Sequence, residues 1–390
     1  MTPRARVQAA IEVLDRVLAG APAERELTAW ARASRYAGSK DRAAVRDHVF
    51  DALRCLRSAG WAGGTGDVPP DQMKGRAVMA GHLSRKGVDL ATVFTGEGHA
   101  PAPLDPLPER GTAPDAVALD FPDWLVPLMR ESHGHEAESI MAALRDRAPV
   151  DLRANLGRTT RDALQARLAA EGVETEPHPL APTALRVVGQ ARGLANLPSF
   201  EEGLFELQDA GSQALAARLP EVARARILDL CAGGGGKALA IAARGAADVF
   251  AHDVDPGRMR DLPARARRAG VRITQTTAPE DLGPFDGVVA DVPCSGSGSW
   301  RRAPEAKWRL TPERLAGLTA LQDDILRRAI ALTRPGGWTA YMTCSLLGVE
   351  NDNRIEAALD RQPDLTRDLR WSCTPLDGAD GFFLTVLRKR

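Results

Sequence analysis

Asp286-Gly-Val-Val-Ala-Asp291-Val-Pro-Cys294-Ser-Gly-Ser-Gly298 is the stretch whose reading decides the fold. Gly287 to Ala290 forms a short apolar run, which reads as a buried strand. It ends on the carboxylate of Asp291 and opens into a loop of small residues. In an open parallel α/β sheet, ligands sit outside the carboxyl ends of the strands. Asp291 and Cys294 are therefore placed where chemistry happens. About fifty residues later a second strand, Gly337-Trp-Thr-Ala-Tyr-Met-Thr343, ends on Cys344-Ser345. Two cysteines that follow two neighbouring strands can face one pocket.

Outward from this centre, residues 225–390 alternate strand and helix at the spacing of a doubly wound sheet. The strand candidates are Arg226 to Leu230, Asp248 to His252, Arg272 to Thr276, Gly287 to Ala290, Trp338 to Thr343 and Gly381 to Leu387. The first runs into Asp229-Leu-Cys231-Ala-Gly-Gly-Gly-Gly236-Lys237. Consecutive glycines let backbone approach a ligand closely and permit positive φ, and the helix that follows presents free N–H groups. No Ser or Thr follows Lys237, so this is not the GxxxxGK[ST] phosphate loop. The second strand ends near Asp253, where a carboxylate suits a ribose diol. The pair points to a nucleoside-containing cofactor. A nicotinamide dinucleotide would predict a similar layout.

Upstream, residues 1–115 read as a helical domain followed by a linker. Val7, Ile11, Leu14 and Leu18 recur at helical spacing, Gly20 and Pro22 end that helix, and Ser39 is placed to cap the next. The breaker-rich run from Ala100 to Pro108 reads as the linker. Residues 116–224 read as a small α+β module, with strands at Asp151 to Asn155 and Ala184 to Val188 and a helix to Ala170 capped by Thr159 or Thr160. A chain of 390 residues exceeds what one core serves, roughly 250–300 residues, so two or three domains are expected.

Composition narrows the function classes. The 51 basic and 51 acidic residues cancel, which argues against a strongly basic coat without excluding a local basic surface. Six arginines fall between Arg258 and Arg272 with only Asp261 opposing them; this is either a solvated helix face or a patch facing phosphates. No apolar run reaches the roughly 18 residues of a membrane helix, and no secretory segment is seen behind Met1. Five widely spaced cysteines without zinc-ligand spacing read as free thiols in a reducing cytosol. No metal and no membrane partner are expected, and the location is cytoplasmic.

The motifs together resemble the Sun/Fmu-type family of RNA cytosine-5 methyltransferases, the bacterial RsmB group, most closely over residues 203–390. Matching pieces are Gln208-Asp209, Leu228-Asp-Leu-Cys231 with Gly235-Gly-Lys237, and Asp253-Val-Asp. Asp291-Val-Pro-Cys294-Ser-Gly-Ser-Gly298 matches, as do Arg301-Arg302 with Pro304 and Lys307-Trp308. Pro335-Gly-Gly337, Thr343-Cys344-Ser345, Glu350-Asn351 and Asp380-Gly-Phe-Phe383 complete the set. More loosely, the N-terminal helices resemble the NusB-like RNA-binding module. The resemblance implies a Rossmann-like class I methyltransferase sheet behind the α+β module and the helical domain.

It also implies a mechanism. Carbon 5 of cytosine is a poor nucleophile, and a thiolate adding to carbon 6 makes it an enamine that can take a methyl group. By resemblance Cys344 is the nucleophile, Cys294 assists breakdown of the adduct, and Asp291 contacts the base edge beside the cofactor. Cys231, Ala232, Gly233, Gly234, Gly235, Gly236, Lys237, Asp253 and Asp291 would bind S-adenosylmethionine. Arg301, Arg302 and Lys307 would contact RNA phosphates, with ribosomal RNA as the first expected partner and transfer RNA as the second. DNA cytosine methyltransferases use the Pro-Cys cysteine as nucleophile, but the additional Thr-Cys-Ser favours the RNA type. The chain departs from the family at Gly234 (usually Pro), Ala238 (often Thr) and Thr277 (usually acidic). Pro263 interrupts the helix expected after Asp253. These departures motivate the alternative of an RNA-binding assembly factor with impaired turnover.

Overall fold

The computed structural model describes residues 1–189, 192–221, 223–245 and 248–390. Among these the chain forms two compact units: Met1–Arg147 with Trp300–Leu310, and Ala148–Ser299 with Thr311–Arg390. By contacts the chain divides after Arg147, with Trp300–Leu310 joining the first unit. Helices Asp115–Ala118, Leu125–His133 and Ala137–Ala143 belong with the N-terminal helices. The reason is local: the fully buried Asp120 accepts from Ser58 N at 2.8 Å and Ser58 Oγ at 2.6 Å, and Arg57 donates to the Phe121 carbonyl at 2.7 Å.

In the helical unit, Pro3–Leu18 buries Val7, Ile11, Leu14 and Leu18, as their spacing predicts. The next cap differs from expectation. Ser39 is already helical and Gly38 is the N-cap. The capping acceptor is Asp41, whose carboxylate takes Gly38 N and the Met1 ammonium, each at 3.1 Å. A carboxylate in the first turn also suits the helix dipole.

The second unit begins with an antiparallel sheet of β1 (Asp151–Ala154), β2 (Thr175–Pro177), β3 (Ala184–Val187) and β4 (Phe205–Leu207), in the order β2-β3-β1-β4. Helix Arg161–Ala170, capped by Thr160, covers it with Leu164 and Leu168. β2 and β4 were not anticipated, because three residues each give too short a pattern to read.

The main sheet comprises β5 (Arg226–Asp229), β6 (Asp248–Ala251), β7 (Thr274–Gln275), β8 (Phe285–Asp291), β9 (Thr333–Thr343), β10 (Leu365–Cys373) and β11 (Phe382–Lys389). Its order is β10-β11-β9-β8-β5-β6-β7, with β5 to β9 parallel and β11 antiparallel between β9 and β10. Both faces are apolar at period two. Ile227, Val289, Ala340, Met342 and Leu384 face one core with Leu215 and Ile241. Leu228, Val288, Ala290, Tyr341 and Phe383 face the other with Leu326, Ile330 and Ile355. Burial on both faces is what gives β8 its continuous apolar run. At Gly287 a Cβ would lie 2.2 Å from the Trp338 ring, so only glycine lets the β9 indole lie against β8.

Candidate functional site

The glycine-rich turn follows β5 and is closed by the backbone: Ala232 N donates to His252 O and Gly235 N to Ala232 O. Gly235 has φ near +80°, and a Cβ there would sit 2.2 Å from Leu262. It serves the turn and the packing of the next helix. The other expected residues, Cys231, Ala232, Gly233, Gly234, Gly236, Lys237, Asp253 and Asp291, line a cavity of about 560 Å³ at the carboxyl ends of β5, β6, β8 and β9. That size suits a small-molecule cofactor, for which pockets run to about 300–1,000 Å³.

Two carboxylates set the field in this cavity. Asp253 is buried and accepts from Gly233 N at 2.9 Å and Asp255 N at 3.0 Å, while pairing with Arg258 at 3.2 Å. Asp229 is buried, and among the described residues neither of its oxygens has a hydrogen-bond partner. Burial, and then the charge on Asp291, push its carboxyl up to about 7; Lys237 and nearby amides offset this only in part. A ligand that brings positive charge to this end of the cavity would supply the missing partner. Cys231 is pushed up to about 12 by burial and by the surrounding carboxylates, which marks it as a packing thiol.

The other end holds the reactive groups. β8 and β9 lie side by side, with Asp291 opposite Met342. Lys237 Nζ meets Asp291 Oδ2 at 2.5 Å. Burial opposes the Lys237 charge, but Asp291 and Asp229 outweigh it and hold its pKa above the ordinary value. Cys294 Sγ and Cys344 Sγ are 3.4 Å apart. Cys344 is the more acidic thiol: Cys294 donates its S–H to it, burial and Asp291 oppose, and Lys237 and Ser299 favour the anion. Cys294 is correspondingly raised well above an ordinary thiol, by that hydrogen bond, by burial, and by the charges on Cys344 and Glu350. The arrangement is a more acidic thiol beside a less acidic one, with the Lys237 ammonium favouring the anion of the first.

The residues expected to touch RNA divide. Lys307 is fully buried in the helical unit, its ammonium 4.7 Å from the Phe121 ring centroid and 4.5 Å from that of Trp308. Burial pulls it down to about 8, with Asp120 opposing. Arg301 is also buried, and its carbonyl accepts from Arg54 at 2.8 Å. Neither presents its charge to solvent, so their expected contact with phosphate is corrected to a packing role; Arg302 stays exposed. The segment Trp300–Leu310 is apolar enough, through Trp300, Trp308 and Leu310, to join the helical core.

The arginine run between 258 and 272 is likewise largely engaged. Arg265 and Arg268 pair with Glu206, Arg265 also grips the Gly234 carbonyl, and Arg258 pairs with Asp253. The Arg265 contact holds the loop at the position where the family usually has proline. Pro263 falls in the first turn of helix Leu262–Ala269, where a missing N–H costs nothing. It does not break a helix.

Several lining residues escaped the sequence reading: Gln208, His252, Leu321, Ile325 and Arg328. Gln208 stood in a quoted motif without a role. Leu321 and Ile325 share a face of helix Pro312–Leu332 at i,i+4, and Leu321 is 44% exposed. Thr277, expected near the same end, is exposed and is not among the lining residues. His252 lies there instead, bonded to Thr276 O at 3.0 Å and to Arg328 at 3.2 Å.

Comparison with known proteins adds the following. Residues 216–380 match the family described as 16S rRNA methyltransferase RsmB/F, and residues 121–192 match its ferredoxin-like domain. Ribosomal RNA small subunit methyltransferase B of Salmonella arizonae is 36% identical over 287 residues, covering 69% of this chain and 66% of that protein. The Vibrio cholerae protein of the same name is 33% identical over 299 residues, covering 73% and 69%. The chain thus spans about two thirds of the length of these curated relatives. The crystal structure of PH0851 superposes with a TM-score of 0.78 over 100% of this chain and 99% of that one, at 21% identity. A methyltransferase homologue from Pyrococcus horikoshii gives 0.63 over 70% and 97%, at 24% identity. At such identities these two likenesses speak for the fold alone.

Proposed function

Because this chain belongs to the RsmB/F methyltransferase family, we propose that it is a cytosolic enzyme that methylates carbon 5 of a cytosine in RNA, with ribosomal RNA as the substrate and S-adenosylmethionine as the donor. The observation that carries this reading is the Cys294–Cys344 pair, 3.4 Å apart at the ends of two adjacent parallel strands and opening on the cofactor-sized cavity.

The residues present fit the cofactor. Asp229 is a buried carboxylate without a hydrogen-bond partner among the described residues, in a cavity floored by glycine backbone, which suits a cationic amino-acid head. Asp253 lies two residues past the end of the neighbouring strand β6, where a ribose diol would meet it. When bound, S-adenosylmethionine supplies an electrophilic methyl group on its sulfonium.

The chain's own residues do the rest. Cys344, whose anion Cys294 and Lys237 favour, adds as the thiolate to carbon 6 of the cytosine and makes carbon 5 nucleophilic. Asp291 meets the base edge, aimed there by its contact with Lys237. After methyl transfer a water molecule takes the proton from carbon 5, the Cys344–carbon 6 bond breaks as the ring double bond re-forms, and the Cys294 S–H assists by hydrogen-bonding the departing Cys344 thiolate. A base inside a duplex cannot reach two thiols at a strand end, so the target cytosine is single-stranded or flipped out.

The test is methyl transfer from labelled cofactor to isolated ribosomal RNA and to transfer RNA, mapped by bisulfite sequencing. Label resistant to bisulfite at a cytosine of ribosomal RNA is expected. Label on a different base, or only on transfer RNA, would sink the substrate assignment.

A further inference from the structure

We propose that Glu350 is the positioning residue that holds the two cysteine loops in register, so that Cys344 acts as nucleophile and Cys294 as its protonated partner; this rests on the assignment of those two roles above. Glu350 closes the short turn Gly348–Glu350 after β9 and is fully buried. Its carboxylate is one residue away from each thiol. Oε1 accepts from Ser295 N at 2.8 Å and Oε2 from Ser295 Oγ at 2.5 Å, and Ser295 follows Cys294. Oε2 also accepts from Ser345 Oγ at 2.5 Å, and Ser345 follows Cys344. Gln322, from the long helix, donates to Oε1 at 3.0 Å and to the Pro293 carbonyl at 3.0 Å. One anion thereby gathers both loops and the helix behind them.

The surroundings keep this anion in place. Tyr341 donates to the Glu350 carbonyl at 2.6 Å. Asn351 accepts from Thr343 at 2.6 Å and donates to the Ser345 carbonyl at 2.9 Å. A buried charge costs several kcal/mol unless its lone pairs are satisfied, and here all four donors are neutral and converge on two oxygens. Glutamine has the same shape but a single acceptor oxygen. With its oxygen kept toward Ser295 N and Gln322, its NH₂ would face the Ser295 and Ser345 hydroxyls, which would have to accept where they now donate. Glu350→Gln should therefore loosen one loop against the other without changing volume. The substitution also removes the negative charge that weighs on Cys294.

The experiment reads the thiols directly. Native protein and Glu350→Gln are treated with iodoacetamide at pH 7.5, and modification of Cys294 and Cys344 is followed separately by mass spectrometry. Methyl-transfer kinetics are measured in parallel. In the native protein Cys344 should react faster than Cys294 by on the order of tenfold or more, since thiolate fraction sets the rate. In Glu350→Gln that preference should shrink to about threefold or less, and kcat should fall by about a hundredfold with KM for cofactor and RNA unchanged, as expected when reacting groups are misplaced. An unchanged preference with only a lower melting temperature would overturn the proposal. If the variant does not fold, Ser295→Ala removes a single contact and should move the preference the same way; no movement there would also overturn it. Native protein that transfers no methyl group would count against the proposed function, while the thiol preference would still decide the role of Glu350.

Discussion

Asp229→Asn should stabilise the cofactor-free protein at alkaline pH and weaken cofactor binding. The Asp229 carboxyl is raised from 3.8 to about 7 by complete burial and by Asp291. At 1.36 kcal/mol per pH unit, that rise corresponds to about 4 kcal/mol. The folded chain holds this proton up to about pH 7, whereas the unfolded chain releases it near 3.8. Across that window the folded state binds more protons, so native stability falls as pH rises and stays lowered above 7. Asparagine keeps the shape and carries no charge. Its difference from the native protein should be near zero at pH 4 and grow to about 4 kcal/mol in favour of the variant at pH 8. Urea denaturation of both proteins at the two pH values reads this directly, and groups common to both cancel. Calorimetric titration with S-adenosylmethionine should show the variant binding roughly tenfold to a hundredfold more weakly, the loss of one charged hydrogen bond. A stability difference that does not change with pH, or a variant less stable at pH 8, would refute the reasoning.

Two further substitutions test the frame around the site. Gly287→Ala would place a Cβ 2.2 Å from the Trp338 ring; overpacking of this kind costs about 1–3 kcal/mol, to be read as a lower urea midpoint with an unchanged slope. Lys307→Gln should lower stability by about 1–2 kcal/mol, because it removes a desolvated ammonium from the faces of Phe121 and Trp308. The salt dependence of RNA binding should not change, since a residue that releases no counterions does not alter that slope. A shallower slope would return Lys307 to the phosphate-contacting set.

How far the sequence could be read depends on how much of each pattern is local. β8 and β9 were legible because parallel strands buried on both faces leave continuous apolar runs, and because Asp291, Cys294 and Cys344 follow at their ends. The turn at Gly233–Gly236 was legible from its glycines. β10 was not: an edge strand with Arg367, Asp368 and Arg370 on it shows no such run, and it is defined by pairing with β11. The fate of Lys307 was illegible for a different reason. Its partners, Asp120 and Phe121, lie far away in sequence, and only the fold shows that its ammonium is caged. The arginines from 258 to 272 looked unopposed because Glu206, which takes two of them, belongs to another element. His252 and Arg328 reached the cavity from separate elements and carried no motif.

The most direct test of the central claim is covalent trapping. Protein and S-adenosylmethionine are incubated with cellular RNA containing 5-fluorocytidine and run on a denaturing gel. The account predicts a shifted protein–RNA band that disappears in Cys344→Ala and persists in Cys294→Ala, with the crosslink mapping to ribosomal RNA. A band that survives Cys344→Ala, or no band from native protein that binds the cofactor, would contradict it.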